Sequence, residues 1–137
     1  MLGMNSGSTS IILDTVAINL RDAMIEDNLG KKPWNEPIVE NAPAAYFASL
    51  DVHALVKKLR KQKLPVEIGY CCGAYICNEI FYLALHHYGD SIPIGFIHVP
   101  LMPEMVWDEN IARPLEETAE IVEKIIEEIA KDSELLF

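Results

Sequence analysis

Short apolar, β-branched runs alternate with helical repeats along this chain, and that alternation constrains its fold more than any other feature. Ser10–Asn19 (SIILDTVAIN) reads as a strand with one acid inside it. Leu20–Pro43 has no period and carries Gly30, Pro33, Pro37 and Pro43, so it reads as a long loop of the kind that is usually functional. Pro43–Leu50 and Val52–Lys63 read as helices, with Asp51 as the N-cap of the second. In that second helix Val52, Leu55, Val56 and Leu59 form one apolar stripe, and Lys57, Lys58, Arg60 and Lys61 face water. Pro65–Tyr70 is a short strand. Cys77–Tyr88 is a mostly apolar helix, expected to be buried on several sides and ended by Gly89-Asp90. Ile92–Val99 is another buried strand, stopped by Pro100 and Pro103. Ile111–Lys131 is the clearest helix: Leu115, Ala119, Val122, Ile126 and Ile129 keep the 3-4 spacing. Glu120 with Lys124, and Glu127 with Lys131, stand in the favourable i,i+4 order.

This order predicts an α/β fold with a largely parallel sheet. Only three strands are clear, whereas a parallel sheet covered on both faces usually has more, so the chain is expected to be the later part of a larger domain. Its 137 residues fit a single domain, 1–137. Half of them are hydrophobic, enough for a packed core. No apolar run is long enough to span a bilayer, and MLGMNSGSTS lacks the basic start and apolar stretch of a secretory leader.

The net charge is −10, and residues 104–137 hold eleven acids against three bases. Such a balance argues against nucleic acid as a partner and for a solvated acidic helix face. Cys71, Cys72 and Cys77 are odd in number and crowded together. They make no disulfide framework, and a reducing, cytoplasmic compartment is expected. Their spacing, with His86 and His87 following, matches no common zinc site, so no metal is expected.

Chemistry concentrates in VEIGYCCGAYICNEIFY, residues 66–82, where a strand enters a Cys- and Gly-containing turn and the turn enters a helix. Cys77 then lies near a helix N-terminus, where free backbone N–H groups and the helix dipole lower a thiol pKa and can hold an oxyanion. Gly73 lets the chain turn tightly and lets a substrate approach the backbone. His98 falls at the C-terminal end of a strand, the end at which open α/β sheets bind ligands. It is a candidate base for Cys77, and Asp14, an acid embedded in an apolar strand, is a candidate to orient it. Each has a plainer reading: Cys77 and Cys72 as packing residues, His98 as a hydrogen-bonded structural group, Asp14 as a turn residue.

GAYICN followed by GFIHVP resembles the pyroglutamyl peptidase I (pyrrolidone carboxyl peptidase) family of cytosolic cysteine peptidases. DTVAIN, DAMIEDNLG and EPIVENAPAAYFASL follow in the family's order before the cysteine motif. The resemblance implies a three-layer α/β/α fold of the phosphorylase/hydrolase type and removal of N-terminal pyroglutamate from peptides without a cofactor. It places Cys77 on the family's nucleophile, His98 on its general base and Asp14 on its acid, and puts Gly73, Cys72 and Ile76 beside the substrate. The acid is Asp here where the family normally carries Glu, and Gly69-Tyr70-Cys71-Cys72-Gly73 stands where the family usually reads Ser-Asn-x-Ala-Gly. The chain corresponds to the C-terminal two-thirds of such a domain, so a homo-oligomer, or a partner supplying further strands, is expected. The alternative is a non-catalytic relative acting as a subunit or interaction module.

Overall fold

The computed structural model describes residues 1–134. Its elements, in chain order, are β1 (Leu2–Met4), β2 (Ile11–Asp14), β3 (Val16–Ile18), β4 (Ala45–Phe47), α1 (Val52–Lys61), β5 (Val66–Gly69), α2 (Ile76–Tyr88), β6 (Phe96–Val99) and α3 (Leu115–Glu134), with two short 3-10 turns before α3. The chain divides into two compact units. One comprises Met1, Asp14–Leu50 and Gly69–Phe96, and the other Leu2–Leu13, Asp51–Ile68 and the chain from Ile97 onward.

The second unit holds most of a four-stranded sheet of order β1-β6-β2-β5. β1 and β6 are parallel, with Gly3 opposite His98. α1 and α3 pack on each other, joined by the Lys58–Asp132 ion pair and a Gln62–Glu128 hydrogen bond. The Asp51 carboxylate caps α1 by accepting the Ala54 N–H at 2.9 Å, and Val52, Leu55, Val56 and Leu59 are buried, as their spacing predicts. The strands at 66–69 and 96–99 lie within the predicted runs.

α3 departs from its sequence reading twice. It begins at Leu115 rather than Ile111, because Pro114 disfavours helical geometry at Arg113. Among its described residues the buried side chains are Thr118, Ile121 and Ile125, while Leu115 and Ile126 are exposed. A broad apolar band offers two adjacent stripes, and packing chose the neighbour of the one the spacing suggested. The ion pairs shift likewise: Lys124 meets Glu127 and Lys131 meets Glu128, both at i,i+3.

In the first unit the predicted strand Ser10–Asn19 breaks in two. Thr15 turns its N–H and its hydroxyl to the Gly69 carbonyl, each at 2.8 Å, and its own carbonyl accepts from Ala48. Beyond it, β3 pairs antiparallel with β4, Val16 opposite Phe47. Residues 43–50, read above as helical, therefore contain a strand. The backbone groups of Val16–Ile18 need partners, and that tertiary demand overrides local preference. α2 packs on β3 and β4 through Phe81, Tyr82 and Leu85, in a core with Ala17, Ile94 and Phe96. It is not buried on several sides as expected, since Ile76 and Ile80 are about half exposed. The long loop after β3 forms as read. Asn19 orders it, accepting the Ile38 and Val39 N–H groups and donating to the Val39 carbonyl.

The register of α3 can be checked by substitution. Ile125→Ala should cost about 2–5 kcal/mol in urea denaturation, and Ile126→Ala less than about 1 kcal/mol, because only the first leaves a cavity.

Candidate active site

Cys77 is the second residue of α2 and is partly buried. The helix starts without a side-chain cap: Tyr75 at the N-cap makes no capping bond, and the first intrahelical bond runs from Glu79 N–H to the Tyr75 carbonyl. The N–H groups of Ile76, Cys77 and Asn78 therefore lack helical acceptors, the usual condition of a first turn. Gly73 reaches the helix through φ +84, a left-handed conformation that a side chain would strain by about 1–2 kcal/mol. A Cβ there would meet nothing within 4 Å, so the requirement at Gly73 is conformational rather than one of space.

Asn78, a residue the sequence reading gave no role, holds the start of α2 in place. It is completely buried. Its Oδ1 accepts the Ile18 N–H at 2.9 Å, and its Nδ2 donates to the Ile18 and Leu20 carbonyls at 2.8 and 3.1 Å. One side chain thus joins the first turn of α2 to the end of β3. The available signal was an amide in an otherwise apolar helix, directly after the cysteine.

Asp14, the last residue of β2, is buried, and its carboxylate acts electrostatically on both Cys72 and Cys77. The structure brings these three residues together in the first unit. Cys72 lies half-buried against the core, its Sγ 4.0 Å from Asn78 Oδ1, and Ile76 is partly exposed. His98 belongs to the second unit, buried in β6 opposite Gly3.

The thiol expectation is reversed. Burial pushes the Cys77 thiol up, and the negative charge of Asp14 adds to it. The backbone N–H of Cys77 itself, which bonds the sulfur, offsets only part of this. Burial, then Asp14, pushes Cys72 from 9.0 up to about 12. Desolvation and a nearby carboxylate outweigh the helix N-terminus, so Cys77 rests as a thiol and needs a base to become a nucleophile. Cys71 is exposed.

Among the described residues no group of three or more His, Cys, Asp or Glu is placed to hold a metal ion, and no helix is long and apolar enough to cross a membrane. An α/β chain presenting a cysteine in the first turn of a helix, beside a buried carboxylate, is organised like a thiol hydrolase. The profile of one such family, pyroglutamyl peptidase, matches residues 1–133. The chain belongs to the pyroglutamyl peptidase family.

A pyrrolidone-carboxylate peptidase of Gloeobacter violaceus is 37% identical over 98% of this chain and 68% of its own length. One of Vibrio vulnificus is 43% identical over 80% of this chain and 52% of its own length. The chain thus spans from about half to about two-thirds of the length of these relatives. A solved pyrrolidone carboxyl peptidase of Pyrococcus furiosus superposes with a TM-score of 0.86 at 36% identity, covering 96% of this chain and 67% of the other. Pyroglutamyl peptidase I of Bacillus amyloliquefaciens superposes at 0.79 with 32% identity, over 90% and 62%. These likenesses bear out the expected family and the α/β fold class.

These features set the stability and the thiol reactivity of the site. Asn78→Ala removes the partner of the Ile18 N–H and one donor each from the Ile18 and Leu20 carbonyls, the first of which keeps the Leu20 N–H, and should cost about 2–3 kcal/mol in denaturant unfolding. Alkylation of the native chain should label Cys71 first and Cys72 last. A raised pKa means a thiol that stays protonated at neutral pH, so labelling of Cys77 should quicken as pH rises past the usual thiol value. Asp14→Asn removes the repelling charge and should speed that labelling at fixed pH, as peptide mapping would read.

Proposed function

We propose that this chain is a cysteine exopeptidase that removes N-terminal pyroglutamate from peptides. The observation that carries the reading is Cys77 in the uncapped first turn of α2, next to the buried charge of Asp14, in a chain that matches the family from residue 1 to 133.

In this proposal Cys77 is the nucleophile, His98 the general base and Asp14 the acid that orients it. His98 takes the Cys77 proton as the sulfur attacks the carbonyl joining pyroglutamate to the next residue. The N–H groups of the first turn of α2 hold the resulting oxyanion. The C–N bond then breaks, the amine leaves with the proton from His98, and a thioester remains. Water, deprotonated by His98, attacks the thioester and releases pyroglutamate and the Cys77 thiol. Because the resting group is a thiol, attack and deprotonation are coupled. Gly73, Cys72 and Ile76 border the substrate in the same reading.

The free state of all three cysteines supports a reducing compartment, the cytoplasm. Assembly with further copies or a strand-supplying partner is part of the same proposal. It is supported by β1, an outer strand of its sheet with Leu2 and Met4 exposed.

Release of a fluorescent amine from a pyroglutamyl amide tests the reading. The chain should turn the amide over, and Cys77→Ala and His98→Ala should each lose at least about a thousandfold in kcat. A folded chain with no turnover, or turnover that survives Cys77→Ala, overturns it.

A further inference from the structure

Beside Cys77 lies a cleft of about 600 Å³, of whose lining the mechanism above uses only Ile76. Ala74, Tyr75 and Ile76, the three residues directly before Cys77, form one wall, and the loop carrying Arg21, Lys31 and Lys32 forms another. Its volume lies in the range of small-molecule and short-peptide sites. The two walls are tied together. Asp22 donates its N–H to the Ala74 carbonyl at 2.8 Å, and Arg21 reaches Glu79 at 3.3 Å and Glu36 at 3.9 Å. The Asp27 carboxylate closes the loop's own turn, accepting the Leu29 and Lys31 N–H groups at 2.8 Å each, around Gly30 at φ +73.

The charges are not equally committed. Arg21 is engaged by two carboxylates, and Asp27 by two backbone donors. Lys31 and Lys32 make no ion pair among the described residues. Both line the cleft on flexible stems, and although Lys31 also acts electrostatically on Asp27, neither is held in a fixed ion pair that would keep it from an anion. A pyroglutamyl ring is a neutral lactam and has no use for them. The part of a peptide that does carry a negative charge is its downstream end.

We propose that this cleft is the subsite for the residues that follow pyroglutamate, and that Lys31 and Lys32 there receive the free carboxylate of a short peptide. The proposal rests on the peptidase reading above. Tyr75 and Ile76, both partly exposed, supply apolar contact for the intervening side chains, while the lysines set a preference for free acids over C-terminal amides. Two solvent-facing ion pairs support a preference of about three- to tenfold.

Calorimetric titration of Cys77→Ala with pyroglutamyl-alanyl-alanine and with its C-terminal amide measures this without turnover. The acid should bind about three- to tenfold tighter, and added salt should narrow the gap. Adding Lys31→Gln and Lys32→Gln should bring the ratio close to one. Equal binding of acid and amide, or a preference that survives both substitutions, overturns the subsite. Turnover of a pyroglutamyl arylamide, which has no downstream residue, is assayed on the native chain in parallel. Arylamide turnover with no acid preference removes the subsite and leaves the peptidase. Acid-selective binding that requires the two lysines, without arylamide turnover, keeps the cleft as a carboxylate site and removes the peptidase.

Discussion

The buried amide of Asn78 is the interaction on which the rest of the first unit depends. A helix N-terminus offers several unpaired N–H groups, and the end of a strand offers an unpaired N–H and carbonyl. Asn78 pairs its Oδ1 and Nδ2 with the end of β3, so polar anchoring of the helix starts at its first turn. Cys77 is the preceding residue, and its backbone inherits that position. Tyr75 supplies no side-chain cap, so the anchoring of the first turn is done from within the helix. Phe81, Tyr82 and Leu85 then lock the remaining turns to β3 and β4 by burial.

Electrostatics around the sulfur follow from burial rather than from helix polarity. A helix terminus contributes about half an elementary charge. Desolvation of the sulfur outweighs it, and the nearby buried Asp14 carboxylate acts in the same direction. The sum keeps Cys77 protonated and Cys72 more so. A resting thiol is less open to adventitious oxidation than a thiolate, and in the mechanism proposed above the nucleophile forms only when a base and a substrate are both present.

The acidity of the C-terminal helix is managed locally. Arg113 pairs with Glu117, Lys124 with Glu127 and Lys131 with Glu128. Bonds also reach from α3 to α1 and its C-cap: Asp132 to Lys58 and Glu128 to Gln62. Exposed pairs of this kind contribute little to stability, and the packing of Ile121 and Ile125 dominates the docking of α3.

By itself the sequence determined the α/β class, the cap and stripe of α1, the long loop after β3, and the family, since GAYICN and GFIHVP are local and ordered signals. It also located Cys77 at a helix start, because Gly73 and the strand before it are local. What only the tertiary structure decided is whatever depends on a partner distant in the chain. Thr15 turns toward Gly69 and splits one apolar run into two strands. Residues 45–47 become a strand because β3 lies opposite them. The buried stripe of α3 and the exposed Ile80 of α2 were set by which face met a neighbour. The direction of the Cys77 shift needed first its burial and then the position of Asp14, sixty-three residues earlier in the chain. Periodicity and caps are properties of neighbouring residues and can be read along the chain. Hydrogen-bond partners, burial and charge proximity are properties of folded space, and they appear only when the chain closes on itself.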